Sequence, residues 1–244
     1  MEAPVVTLNF EIYSYESDIN RRIKASSLQN LLQEAAYKGS EFCHCGYSTL
    51  KERGLFWALN RINFTILDTP VWGDRVTLQT WSHSQAGPLW HRNFRMFRSD
   101  APDSPIVLGT SAWTLVDYAQ RSIFRGDTGF DPAFHYPADT LPLCTKIIVP
   151  RELQQTGAGS HTVVWSDLDT NAHANNCSYT QWALDAMPYE YVCNKTLRDV
   201  SVNYYHEIHC GEKVDFLLAR DGDVWFVTGK VGDRICFVER LEFA

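Results

Sequence analysis

The chain has 244 residues, 45% of them apolar and 21% charged, which excludes a disordered, collagenous or coiled-coil protein and leaves room for one large domain or two modest ones. Its 22 basic and 29 acidic side chains give a net charge of −7, the wrong sign for a general nucleic-acid binder, which needs surplus Lys and Arg against phosphates. The charge is uneven: residues 151–244 hold 8 basic and 14 acidic side chains and residues 1–150 hold 14 and 15, so an acidic partner should prefer the first half.

The opening, Met1 to Tyr15, carries Glu2 and Glu11 and lacks a basic region followed by an apolar stretch, so it does not read as a secretory signal. No run of about 18 apolar residues occurs, and no membrane association is expected. Seven cysteines without framework spacing read as free thiols in a reducing compartment, by default the cytoplasm. Asp18 and Asn20 then precede Leu28, Leu31, Leu32 and Ala35, whose three- and four-residue spacing predicts a helix with one buried face. Alternating segments at 62–66, 76–81, 90–98 and 106–117 predict strands, with Gly73-Asp74 turning the chain between the first two. Gly126 to Pro150 contains Pro132, Pro137, Pro142 and Pro150 and suits a linker. Beyond it, Asp169 and Asn171 precede a second helical pattern at Tyr179, Trp182, Ala183 and Ala186, and strands are predicted at 200–204, 214–219, 224–231 and 234–243.

These elements are a disguised repeat. Asp18-Ile-Asn20-Arg-Arg22 and its helix match Asp169-Thr-Asn171-Ala-His173 and its helix at a constant offset of 151, whereas Ile62 to Leu78 match Val200 to Phe216 at an offset of 138. The drop of 13 predicts a longer connection after the first helix, around Gly46 to Phe56. The expected architecture is α+β: a long helix against an antiparallel sheet, present twice, with halves at 1–126 and 156–244 and a linker at 127–155.

Trp165 to Asn176 packs two carboxylates, three asparagine amides and an imidazole into twelve residues. Capping alone would account for Asp and Asn. The repeat supplies an internal control: where the second copy has His173 and Glu207, the first has Arg22 and Thr69, so a capping duty common to both copies does not explain the difference. The second copy is therefore expected to hold the reactive site. Cys177, four residues after His173, could form a Cys–His pair, although free cysteines are mostly inert core residues. Cys43-His44-Cys45 and the group His206, His209 and Cys210 lack the spacing of a zinc site, and no metal is expected. Glycine-rich nucleotide loops and the G-x-S-x-G elbow are absent.

On Phe56-Trp57-Ala-Leu-Asn-Arg61, Pro70-Val-Trp72-Gly73-Asp74, Thr80-Trp81, the string Ser166 to Asn176 and Tyr204-Tyr-His-Glu207, the chain resembles the acyl-[acyl carrier protein] thioesterases over nearly its whole length. The resemblance implies a tandem hot-dog fold, hydrolysis of a fatty acyl thioester on acyl carrier protein, no cofactor, and catalytic residues at Asp169, Asn171, His173 and Glu207. Plant members often place Cys directly after this Glu, whereas Ile208 stands here. They also carry a transit peptide that the chain does not show. Either Glu207 or Asp169 is expected to activate water, or Asp169 to attack directly as a nucleophile. The backbone N–H groups of Ala174 and Asn175 are expected to meet the oxyanion. Leu28, Leu31, Leu32, Trp57 and Leu59 are candidates for lining the acyl slot, and Arg21, Arg22 and Lys24 for docking the acidic carrier. Monomer and homodimer are both compatible with two halves in one chain. An acyl-CoA thioesterase and a non-catalytic acyl-binding protein are the alternatives.

Overall fold

The computed structural model describes residues 4–131, 135–136 and 141–244. Met1, Pro132 and Pro137, which bound or punctuate the expected segments, lie outside them. The first half runs β1 (Val6–Glu11), α1 (Ala25–Phe42), α2 (Tyr47–Glu52), β2 (Leu55–Ile66), β3 (Arg75–Ala86), β4 (Leu89–Arg98), β5 (Pro105–Asp117) and the two-residue β6 (Ser122–Ile123). The second runs β7 (Thr156–Thr162), α3 (Asn176–Asp185), α4 (Tyr189–Asn194), β8 (Leu197–Tyr204), β9 (Lys213–Asp221), β10 (Val224–Val231) and β11 (Arg234–Phe243). Among the described residues no helix is long and apolar enough to cross a membrane.

All strands join one sheet, ordered β1-β3-β4-β5-β2-β8-β11-β10-β9-β7, with β6 on β5. The second five repeat the first five in reverse, so a pseudo-twofold axis crosses the β2–β8 pairing. Asn63 and Ser201, equivalent in the repeat, face each other there, and Asn63 Nδ2 donates to Ser201 Oγ at 2.8 Å. The same axis passes between the helices, where Thr180 Oγ1 lies 2.8 Å from the Oε1 of its repeat mate Gln29. α1 and α3 run antiparallel, since Ser26 meets Gln181 and Gln33 meets Cys177 on either side of that pair.

The 13 extra residues of the first half are not the inserted loop that the offset predicts. Eight lie in α1 itself, 18 residues against 10 in α3, four in β2, 12 residues against 8 in β8, and one in the connection from α1 to α2. In β2 a bulge between Leu59 and Arg61 changes which residues face the helix: Leu55, Trp57 and Leu59 point inward before it, Ile62, Phe64 and Ile66 after it. The second helix is accordingly short, not long as expected.

Helix-facing residues of both halves merge into one core that includes Leu28, Leu32, Phe64, Phe94, Tyr179, Val202 and Phe237. The proline-rich connection packs on the outer face of the sheet, where Ile147 joins Ala219, Phe226 and Val238 and its N–H donates to Asn203 Oδ1 at 2.7 Å. One glycine is fixed by this packing: a Cβ on Gly229 would stand 1.9 Å from Cε1 of the fully buried Phe237, its partner across the β10–β11 ladder. Gly229→Ala is expected to cost about 3 kcal/mol, read as a lowered urea midpoint at unchanged slope.

Candidate active site

The segment after β7 forms a turn before α3, and its geometry repeats that before α1 bond for bond. Asp169 Oδ1 accepts the N–H of Asn171 at 2.8 Å and of His173 at 3.4 Å, as Asp18 Oδ1 accepts those of Asn20 at 2.8 Å and Arg22 at 2.9 Å. The Asp169 N–H donates to His173 O at 2.8 Å, as that of Asp18 does to Arg22 O at 2.7 Å. The residue at the apex takes a left-handed conformation in both, Ala172 at φ 62° and Arg21 at φ 64°. Asp169 therefore has a structural duty that both halves share, and Asn171 Nδ2 reaches its other oxygen at 3.3 Å.

His173 and Glu207 stand where the first half has Arg22 and Thr69, and the structure brings them together. The stretch after β8 pairs with the turn through an isolated bridge between His173 and His209, and His173 Nε2 stands 3.4 Å from Glu207 Oε2. The imidazole is mostly buried and the carboxylate half exposed. The His209 ring lies edge-on to that of His173, centroids 4.9 Å apart. Burial pushes the Tyr179 phenol up, with Cys236 and the Glu207 and Asp169 carboxylates adding to it.

Two expectations are corrected. The N–H of Ala174 already donates to Ile208 O and that of Asn175 to Asp167 O, each at 2.8 Å, so neither is directed at an oxyanion. The cause is that α3 begins only at Asn176, with Asn175 as its cap accepting from the Cys177 N–H. Cys177 does not face His173: it is 2% exposed, and burial, then Glu239, pushes its thiol well above the ordinary range. Ile208, the residue directly after Glu207, is wholly buried.

The lining candidates divide. Leu28, Leu31 and Leu32 belong to the main core and Leu59 packs against it, while Trp57 sits with Leu50, Leu55 and Leu115 and donates from Nε1 to Cys45 O at 2.8 Å. Arg21, Arg22 and Lys24 lie before the start of α1, at the C-terminal end of α3, so about 15 Å of helix separates them from His173. Each is engaged locally: Arg21 over the Trp72 ring, Arg22 with Asp18 at 3.0 Å, Lys24 with Tyr15 O at 3.0 Å.

Sequence spacing missed one grouping. His173, Glu207 and His209 each offer a ligand atom, all within 4.8 Å of one another. Two imidazoles and a carboxylate are a donor set suited to a transition metal. The cluster forms only because the turn before α3 folds onto the end of β8, so residues 173 and 207–209 give no motif.

Two units of a helix on an antiparallel sheet, continuous through β2 and β8, define a tandem hot-dog protein. A crystal structure of an acyl-ACP thioesterase from Bacteroides thetaiotaomicron superposes with a TM-score of 0.87 at 23% identity, covering 100% of this chain and 99% of that one. The 12:0-ACP thioesterase from Umbellularia californica superposes with a TM-score of 0.81 at 19% identity, covering 100% and 98%. Family models of the acyl-ACP thioesterase N-terminal and C-terminal domains match residues 4–127 and 151–230, and the chain belongs to this family. It is 26% identical over 235 residues to the chloroplastic oleoyl-acyl carrier protein thioesterase of Coriandrum sativum, covering 88% of this chain and 62% of that protein. It is 28% identical over 220 residues to the palmitoyl-acyl carrier protein thioesterase of Arabidopsis thaliana, covering 83% and 52%. The chain thus spans less than two thirds of the length of these curated relatives.

Proposed function

We propose that the chain hydrolyses the thioester between a fatty acyl group and acyl carrier protein, releasing free fatty acid, at a site in its second half. Family membership supports the substrate class. The observation that carries the site is the contact of His173 with Glu207, at positions where the first half has Arg22 and Thr69 in an otherwise equivalent turn.

Glu207 is the better base of the two carboxylates, because Asp169 is tied into the turn by two backbone N–H groups while Glu207 is half exposed. Glu207 takes a proton from water as its oxygen attacks the thioester carbonyl. The developing oxyanion is favoured by the positive end of α3, whose first turn begins at Asn176. When the carbon–sulfur bond breaks, the proton held at Glu207 or relayed through His173 goes to the departing thiolate. Asn171, exposed beside Asp169, orients the turn. A reducing compartment such as the cytoplasm suits seven free cysteines.

The test is fatty-acid release from acyl carrier proteins of graded chain length, with acyl-CoA in parallel, by wild type and Glu207→Gln. Release that prefers the carrier protein and collapses in the variant supports the reading. Preference for CoA moves the substrate class, and acyl binding without hydrolysis by either would sink the enzymatic reading. On the water route, single turnover in oxygen-18 water leaves no label in Asp169; label there would establish attack by Asp169 through an anhydride.

A further inference from the structure

Between β5 and β6 the chain reverses through residues 118–121, and the last of these, Arg121, has φ 50°. Turns of this kind take Gly at the left-handed position, and a side chain there is strained by about 1 kcal/mol. The hairpin is nevertheless tightly held: the Arg121 N–H donates to Asp117 O at 2.9 Å, and Asp117 Oδ1 accepts the N–H groups of Ala119 and Gln120 at 2.9 and 2.8 Å. The guanidinium lies over the Tyr118 ring at 4.8 Å, and that ring packs edge-on against Phe56. From this support Arg121 Nη1 reaches 3.9 Å from Glu207 Oε2, the same oxygen that faces His173. The first half thus sends a cation into the second half's site.

We propose that Arg121 is a positioning residue of the site, fixing the Glu207 carboxylate beside His173. With Oε2 flanked by the guanidinium at 3.9 Å and the imidazole at 3.4 Å, the carboxylate is biased toward the orientation that presents Oε1 to water. An exposed pair of long side chains is ordinarily too mobile for this. Stacking on Tyr118 and the pinned backbone restrict that mobility beforehand, which is the condition under which positioning affects rate. The proposal rests on Glu207 as the base, and it makes the reactive site a joint product of both halves.

Arg121→Gly is the informative variant, because Gly relaxes the left-handed backbone while removing the guanidinium, so the hairpin has no reason to unfold. The expected result is kcat lowered roughly 10-fold with KM for acyl carrier protein within about 2-fold, and an unfolding midpoint equal to or above wild type. Arg121→Lys should recover part of the rate, and millimolar guanidinium ion should recover part of it in Arg121→Gly but none in Glu207→Gln. Wild-type kcat in Arg121→Gly, or a change confined to KM, overturns the proposal. Full activity in Glu207→Gln instead overturns the assignment of the base, so the two failures are told apart.

Discussion

Glu207→Gln and His173→Ala are each expected to lower turnover of acyl carrier protein thioesters about 10²- to 10⁴-fold, with KM and thermal midpoint nearly unchanged. The amide of Gln keeps the shape of Glu207 but cannot take a proton, and the position is half exposed, so little folding energy depends on it. His173→Ala removes the ring that faces Oε2 yet leaves the turn closed, because that turn is tied by the main chain of residue 173 to Asp169 and not by its imidazole. Asp169→Ala would also abolish activity, but the pair Asp18→Ala and Asp169→Ala separates structure from chemistry. Both aspartates accept the same two backbone N–H groups with one oxygen, while the other takes the Arg22 guanidinium in Asp18 and the Asn171 amide in Asp169, so both variants should lose stability, about 1–2 kcal/mol. Only the Asp169 variant lies at the proposed reactive site, and steady-state kinetics beside urea unfolding of the two reads the difference. If Asp18→Ala were as inactive as Asp169→Ala, the separation of a reactive half from a supporting half would be wrong.

The repeat made the strand plan readable from residues alone. Val224–Val231 and Arg234–Phe243 match the expected segments, because each is a short run rich in β-branched and aromatic residues preceded by a Gly-containing turn at Gly222 or Gly232. β7 carried no such signal: Gly157 and Gly159 interrupt it, Gly159 at φ 90°, and as an edge strand it has one pairing neighbour. α2 and α4 have six residues each, too short to establish a helical period. At the site, Asp169, Asn171 and His173 were legible by density and Glu207 by comparison with the first copy. The nearness of His209 to His173 and of Arg121 to Glu207 has no local signal, since one arises by a backbone bridge and the other from the far half. The amides of Ala174 and Asn175 were misread because capping residues locate a helix start only to within a few positions, and two residues displace every N–H from its expected target.

Glu239 carries the second large effect. It lies on the inward face of β11 between the fully buried Phe237 and Leu241, itself without exposure, where burial pushes its carboxyl up to about 8 against the lesser opposing influence of Thr180. Thr180 Oγ1 is 3.0 Å from Glu239 Oε1 and 2.8 Å from Gln29 Oε1, and its single proton can serve only one of them. A protonated Glu239 donating to Thr180, with Thr180 donating to Gln29 and Gln29 Nε2 donating to the Tyr204 hydroxyl at 2.5 Å, satisfies the chain in one direction. Because the folded carboxyl binds its proton more tightly than the unfolded one at 4.5, this contribution to stability is fully present below pH 4.5. It is lost as pH rises toward about 8, above which the folded state must carry the charge in its core. The expected loss across that window is on the order of 4 kcal/mol, and Glu239→Gln should remove this part of the pH dependence, so that the variant exceeds wild type in urea midpoint at pH 8.5 and not at pH 5. Parallel pH profiles for the two proteins would show that Glu239 titrates near its ordinary value. The network also reaches the start of α3: Tyr204 donates to Asn176 O at the first residue of that helix, so ionising Glu239 is expected to be felt there. Glu239→Gln should therefore also extend hydrolysis to higher pH, in step with the gain in stability.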